Sequence, residues 1–183
     1  MKLYRVTEIL EKYVNRDNIP DWRWDAAGDR GTRLHTCTAN YLRGIWIPSV
    51  DLDVEPYFDS FVAWAQDMIE ETFFVEKELK DSTYGFIGHA DWIGILKPYL
   101  NSGAVVDWKS PVTEGNTWKA QVGAYFYLAN QKELKLPVTM RKAGALMLNP
   151  KGKTAKFIDY SDERQQAFQI FLNALNSHRW LVG

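Results

Sequence analysis

GFIGHADWIGILKPYLNSGAVVDWKSP, residues 85–111, contains two strand-like runs joined by a turn. GFIGHADWIGIL (85–96) and GAVVDWK (103–109) are rich in β-branched and aromatic residues, and KPYLNSG between them supplies the residues of a chain reversal. The preceding FFVEKEL (73–79) reads the same way, set off by DSTYG. Three strands on short connections predict an antiparallel meander.

Within GFIGHADWIGIL and GAVVDWK, the charged residues Asp91, Asp107 and Lys109 interrupt largely apolar runs. Residues two apart on a strand share a face, so Asp107 and Lys109 point the same way as Val105, while Val106 and Trp108 point to the other side. Pairing of the two strands would bring Asp91 beside Asp107. Carboxylates about 4 Å apart repel by about 4 kcal/mol at an effective dielectric of about 20. The pair therefore calls for a cation or a shared proton. A hard divalent ion, Mg²⁺ or Mn²⁺, is the simplest partner for carboxylate oxygens. The competing reading is an exposed strand-end ion pair between Asp107 and Lys109 worth about 0–1 kcal/mol, the default for a bare Asp-x-Lys.

Helical spacing predicts a short first helix over Val6–Tyr13, ending before NRDNIP, and a second over residues 30–43 with Leu34, Thr38, Tyr41 and Leu42 on one side. Residues 15–28 read as irregular but too rich in tryptophan for a spacer. The clearest helix runs from Val54 to Glu71, with Val54, Phe58, Phe61, Val62, Ala65 and Ile69 as its apolar stripe, Asp53 as cap and Pro56 in the first turn. A helix over 116–131 follows SPVTEG, and GALMLNP (144–150) and TAKFIDY (154–160) form a further strand pair joined by KGK. A last helix begins with Ser161 as N-cap, carries Asp162 and Glu163 in its first turn, and turns Phe168, Phe171, Leu172 and Leu175 inward. The fold class expected is α/β (α+β): a single domain over 1–183 with a central mixed β-sheet flanked by helices.

Composition narrows the function classes. Apolar residues at 46% and charged residues at 25% suit a folded domain and argue against disorder or a membrane span. The first residues, MKLYRVTEILEKY, carry charges where a signal peptide needs an apolar core, so a cytoplasmic protein is expected. One cysteine, Cys37, excludes an intrachain disulfide and a multi-thiolate zinc or iron–sulfur centre. With 22 basic against 23 acidic residues, attraction to nucleic acid would have to come from a local basic patch or from bound cations. No Gly-x-x-x-x-Gly-Lys-Ser/Thr loop is present, so no nucleotide-driven motor is expected.

Five pieces then occur in order: VTEIL (6–10), Gly31-Thr32-Arg33-Leu34-His35, Gly88-His89-Ala90-Asp91, Asp107-Trp108-Lys109 and Gln121-Val122-Gly123-Ala124-Tyr125. Together they resemble the RecB-like branch of the PD-(D/E)XK nuclease superfamily, in particular its phage and prophage exonucleases. The resemblance implies a restriction-endonuclease-like fold and a hydrolase that cuts DNA with a water activated by Mg²⁺ or Mn²⁺. It implies His35, Asp91, Asp107 and the backbone carbonyl of Trp108 as metal ligands, and Asp91, Asp107, Lys109, Gln121 and Tyr125 as the catalytic set. Lys109 would position the water or hold the scissile phosphate; Gln121 and Tyr125, on one helix face, would contact the DNA backbone or orient Lys109. DNA is the expected partner, in recombination, repair or phage DNA processing, with self-association or a recombination-protein partner left open and no membrane involved.

Several residues carry open readings. Glu76, at a position where such relatives often have an acid, orients a metal-bound water or forms a surface salt bridge. His89, expected on the same face as Asp91, contacts substrate or competes as a ligand. Trp22 and Trp24 stack on unpaired bases or cover the groove, though core packing is the commoner use. Arg30, Arg33, Lys119, Arg141 and Lys142 are candidate phosphate contacts. The rival functions are a non-catalytic nucleic-acid-binding module on the same fold and a small-molecule or carbohydrate-binding domain, which requires its tryptophans clustered on one open face.

Overall fold

A computed structural model describes residues 2–182 apart from Asn18 and Val112. Strand β1 (Tyr4–Arg5) leads into helix α1 (Val6–Glu11); α2 (Asp21–Leu42) and α3 (Glu55–Met68) follow. The meander is β2 (Ile69–Asp81), β3 (Phe86–Leu96) and β4 (Gly103–Lys109). Helix α4 (Trp118–Ala129) crosses to β5 (Met140–Met147), and β6 (Lys156–Asp159) precedes α5 (Arg164–Val182).

The expected mixed sheet is present, with β3 at its centre. Along one edge β3 pairs antiparallel with β2 over its whole length; along the other it meets β1 in parallel at Phe86–Ile87 and β4 antiparallel at Trp92–Ile95. Strand β4 pairs in parallel with β5, as the α4 crossover requires, and β5 pairs antiparallel with β6. Helices cover both faces. On one, Val6, Ile9 and Leu10 of α1, Ala124 and Leu128 of α4, and Phe171 and Leu175 of α5 pack on Phe86, Ala90, Ile93 and Val105. On the other, Leu34 of α2 and Phe61, Trp64 and Ala65 of α3 pack on Trp92, Val106, Trp108 and Leu146.

The ribbon formed by β2 and β3 exchanges faces partway along. Ala90 and Trp92 are two apart and would share a face in a regular strand, yet they lie in opposite cores. Val75 and Leu79 divide the same way on β2. Between them stands Glu76 with φ +51°, a left-handed backbone that costs a non-glycine residue about 1–3 kcal/mol. Val75 pairs with Trp92 and Lys77 with Ala90, so Glu76 stands opposite Asp91. Both strands reverse their alternation at this one level.

Some expected boundaries are corrected. Helix α2 starts at Asp21, so half of the stretch read as irregular is helical; its outer half is exposed, with Trp22 at 68%, and therefore shows no apolar stripe to read. Helix α3 ends at Met68 because Ile69 turns extended and pairs with Leu96. Asp53 does not cap α3: its carboxylate is taken by Arg33, at 2.8 and 2.7 Å. Nor is Ser161 the N-cap of α5. It opens a 3-10 turn over Ser161–Glu163, and its hydroxyl accepts the Ala143 N–H of β5 at 3.1 Å. Strand β5 begins four residues before the predicted GALMLNP, drawn into the ladder beside Gly103 and Ala104. Among the described residues no helix is long and apolar enough to cross a membrane.

Gly123 sets how closely α4 approaches α5. A Cβ there would lie 2.7 Å from the Ala167 Cβ and from the Phe168 amide nitrogen, and backbone cannot yield as a side-chain tip can. Gly123→Ala is expected to destabilise the protein by about 1–3 kcal/mol, read as a lower urea midpoint at unchanged slope. An unshifted midpoint would contradict the close crossing.

Candidate metal centre

The Trp92–Val106 pairing is the outermost rung between β3 and β4, and the next pair in register is Asp91 opposite Asp107. Beyond that rung the ladder stops, and a side chain replaces it: Asp91 Oδ2 accepts the Trp108 N–H at 2.6 Å. Burial of an acid is tolerable here because a backbone donor is waiting for it. Asp91 is 4% exposed and Asp107 2%, so both carboxylates sit within the protein at the fork where the strands part.

Helix α2 covers that fork and supplies His35. Its Nδ1 lies 3.2 Å from Glu76 Oε1 and 3.3 Å from Asp91 Oδ1. The other Glu76 oxygen, Oε2, lies 3.0 Å from His89 Nδ1. The unusual backbone of Glu76 thus coincides with a carboxylate held between two imidazoles. On the opposite side, α4 supplies Gln121 and Tyr125 from one helical face. Gln121 Oε1 accepts from Lys109 Nζ at 3.0 Å, and its Nε2 donates to Tyr125 Oη at 3.0 Å and Asp107 Oδ1 at 3.3 Å. Lys109 Nζ is 2.5 Å from Asp107 Oδ2, an ion-pair contact off the hydrogen-bond direction, so that buried oxygen has no hydrogen-bond partner. Tyr125 is fully buried and braces Gln121 rather than meeting solvent.

The electrostatics follow from burial. Desolvation pushes the Asp107 carboxyl up to about 7, against the pull of Lys109 and with the help of Asp91. Asp91 is buried too, but the His35 imidazole, Lys109 and the Trp108 N–H hold it below the ordinary carboxylate value. His35 resists burial's tendency to neutralise it because Asp91 and Glu76 raise its pKa well above the usual imidazole range. Burial, then Asp107 and Asp91, raises the Tyr125 phenol, so it stays neutral and accepts from Gln121.

The donors fit a divalent cation. One ligand atom each from His35, Glu76 and Asp91 lies within 4.8 Å of the others. An octahedral ion with ligands at about 2.1 Å places neighbouring donors about 3 Å apart, and the two His35 contacts are 3.2 and 3.3 Å. A proton on Nδ1 occupies the same gap otherwise. Asp107 is not among these converging donors, its Oδ2 lying against Lys109 Nζ at 2.5 Å, and Trp108 meets Asp91 through its N–H rather than through the carbonyl expected as a ligand. Among the expected ligands His35 and Asp91 are brought into direct contact, and Glu76, read from sequence only as orienting a metal-bound water, stands beside them as a donor.

Two clefts flank the site. One of about 600 Å³ runs along α2 past Gly28, Gly31, Thr32, His35, Arg43 and Glu76. The other, about 360 Å³, is lined by Arg16, Trp24, Thr117 and Gln121. Trp24 therefore borders the site with Arg16 over its ring, while Trp22 faces solvent. Arg33, Lys119 and Lys142 are already paired with Asp51 and Asp53, Glu163, and Asp159. Arg30 lies over the Tyr57 ring. Trp22, Trp46 and Trp180, the most exposed tryptophans, stand at the start of α2, beyond its end and near the end of α5. Compared with models of known protein families the chain matches none, and no curated protein sequence matches it.

The shifted groups fix a pH dependence. Asp107 and His35 both bind protons more tightly folded than unfolded, so stability is lost as pH rises from 3.8 to about 7 for Asp107 and upward from 6.5 for His35. Asp91, lowered, acts with opposite sign and only below 3.8. The metal-free protein is expected to lose several degrees of thermal midpoint between about pH 5 and about pH 8.5, at roughly 2–4 °C per kcal/mol, with Mn²⁺ restoring them. Asp107→Asn should flatten the slope. A midpoint independent of pH, or indifferent to Mn²⁺, would contradict the assignment.

Proposed function

We infer that the chain is a divalent-metal-dependent deoxyribonuclease of the RecB-like PD-(D/E)XK type, hydrolysing phosphodiester bonds and working as an exonuclease. One observation carries this reading: two buried carboxylates, Asp91 and Asp107, sit at the open end of the β3–β4 ladder, faced by the imidazole of His35 on one side and the ammonium of Lys109 on the other. A purely structural ion-pair network has no need of an additional acid, yet Glu76 is bent into the same cluster at a cost in backbone energy.

His35, Asp91, Asp107 and the Trp108 carbonyl would hold Mg²⁺ or Mn²⁺, with Glu76 beside them. When bound, such a cation acidifies a water and offsets charge developing on the phosphate. The protein's own groups do the rest. Lys109, tethered by Gln121 and 5.8 Å from the centre of the Trp118 ring, is positioned to hold the scissile phosphate or aim the water. Held against Asp107 and tethered to the Gln121 amide, its ammonium would act by charge and placement. Gln121 couples Lys109 to Asp107, and buried Tyr125 fixes the Gln121 amide in the orientation that does both.

The α2 cleft is the path by which the DNA backbone would reach His35 and Glu76. Gly28 and Gly31 each leave open space where a Cβ would be, so neither is demanded by internal packing, and backbone can approach closely there. Recombination, repair or phage DNA processing in the cytoplasm is the setting this reading proposes.

Labelled linear duplex and single-stranded DNA incubated with Mg²⁺ or Mn²⁺ should be degraded, and EDTA should stop it. Asp107→Ala and Lys109→Ala should each reduce cleavage by at least about 100-fold. Cleavage surviving both substitutions removes the site; DNA binding without cleavage favours the non-catalytic module. A closed circle resisting degradation would establish the need for a free end.

A further inference from the structure

Helix α2 is unevenly held. From Arg30 onward it is fastened: Arg30 lies over the Tyr57 ring at 5.2 Å, Arg33 pairs with Asp51 and Asp53, and Leu34 is buried in the core shared with α3. None of the seven helical residues before Gly28 is buried. Their tie to the rest of the fold is the Arg16 guanidinium, 4.3 Å from the centre of the Trp24 ring. At the junction of the loose and fastened parts stand Gly28 and Gly31, both inside the helix and both with open space where a Cβ would be. A glycine in a helix interior weakens the local helix by about fivefold relative to alanine, and packing demands it at neither position. The same turns border the candidate metal centre. Trp24 lines the cleft that reaches Gln121, and Gly28 and Gly31 line the one that reaches His35 and Glu76.

We propose that residues 21–27 of α2 are a lid, pivoting at Gly28 and latched by Arg16 on Trp24, which opens to admit a DNA strand beside Gln121 and closes over it. It rests on the nuclease reading only for what passes beneath the lid. With Arg30, Arg33 and Leu34 fixed, movement of the first two turns leaves His35 at the carboxylates. A cation–π contact in an open setting is weak, so the latch releases readily. Lifting Trp24 widens the cleft beside Gln121 and the Lys109 ammonium bonded to it. Re-forming the Arg16–Trp24 contact encloses the strand and sheds water around it. Lids are drawn from the least stable parts of a fold, and their opening commonly limits turnover. Two helix-weakening glycines that internal packing does not call for are what such a pivot needs.

Hydrogen–deuterium exchange on the full, metal-free chain reads the lid without catalysis. Amides over 21–31 should exchange at least about 100-fold faster than those over 34–42. Gly28→Ala should slow exchange over 21–27 by at least about threefold, and Arg16→Ala should speed it by a similar factor. Neither change meets a packed neighbour's backbone, and each variant's thermal midpoint verifies its fold. In cleavage of linear DNA with Mn²⁺, Gly28→Ala should lower kcat by at least about threefold with KM within about twofold. A raised KM at unchanged kcat means that the added methyl merely obstructs the DNA, and slowed exchange with kcat unmoved means that the turns merely fray; either result overturns the lid. Exchange over 21–31 as slow as over 34–42, or unmoved by Gly28→Ala or Arg16→Ala, overturns it as well and leaves the nuclease reading standing. Wild-type protein that leaves DNA intact overturns that reading instead, and with it DNA as what the lid admits.

Discussion

Two carboxylates buried side by side cannot both be charged without something to balance them, and the architecture around β3 and β4 is organised by that constraint. Asp91 is stabilised by a backbone N–H, an imidazole and an ammonium, and stays ionised; Asp107, pushed up by burial and by Asp91 against the pull of Lys109, is raised to about 7. The asymmetry arises from placement alone. Asp91 lies where the ladder's hydrogen bonds run out and the free Trp108 N–H is within its reach, whereas Asp107 faces the side on which α4 offers an amide and Lys109 lies off-axis.

The face exchange of the β2–β3 ribbon is how the fold makes room for this arrangement. Strict alternation would carry the apolar side chains of β3 along a single face and leave no level at which donors from α2 and α4 could meet the same residues. Reversing both strands at Glu76 and Asp91 opens such a level without breaking the pairing on either side. His35 enters from the α2 face and Gln121 from the α4 face, and both reach the carboxylates at the fork. Close packing of Gly123 against Ala167 fixes the height of α4, and so the reach of Gln121 and Tyr125.

Much of this was legible in the sequence because it depends on short-range pattern. The meander, helix α4 and the alternation that puts Asp107 with Lys109 all follow from periodicity and turn residues, and the i, i+4 spacing of Gln121 and Tyr125 fixes their common face. What was not legible depends on register and tertiary context. Glu76 looks like a surface acid in FFVEKEL until the pairing with β3 sets it opposite Asp91 and its backbone turns left-handed. The first half of α2 lacks an apolar stripe because it faces solvent. Asp53 and Ser161 have the residue types of helix caps, but Arg33 and the β5 amide of Ala143 claim them first. Arg33 and Lys142, read as phosphate contacts, are likewise engaged by acids far along the chain.

The proposed centre is a charge arrangement that a cation would complete, and a crystal grown or soaked with Mn²⁺ interrogates it directly through anomalous scattering. The account requires a peak within coordination distance of His35, Asp91 and Glu76, with Asp107 turned toward it and Lys109 moved off Asp107 Oδ2. Anomalous density absent from this pocket at saturating Mn²⁺, with Lys109 still against Asp107 and His35 still bridging Glu76 and Asp91, would mean that protons and the ammonium are all these carboxylates need.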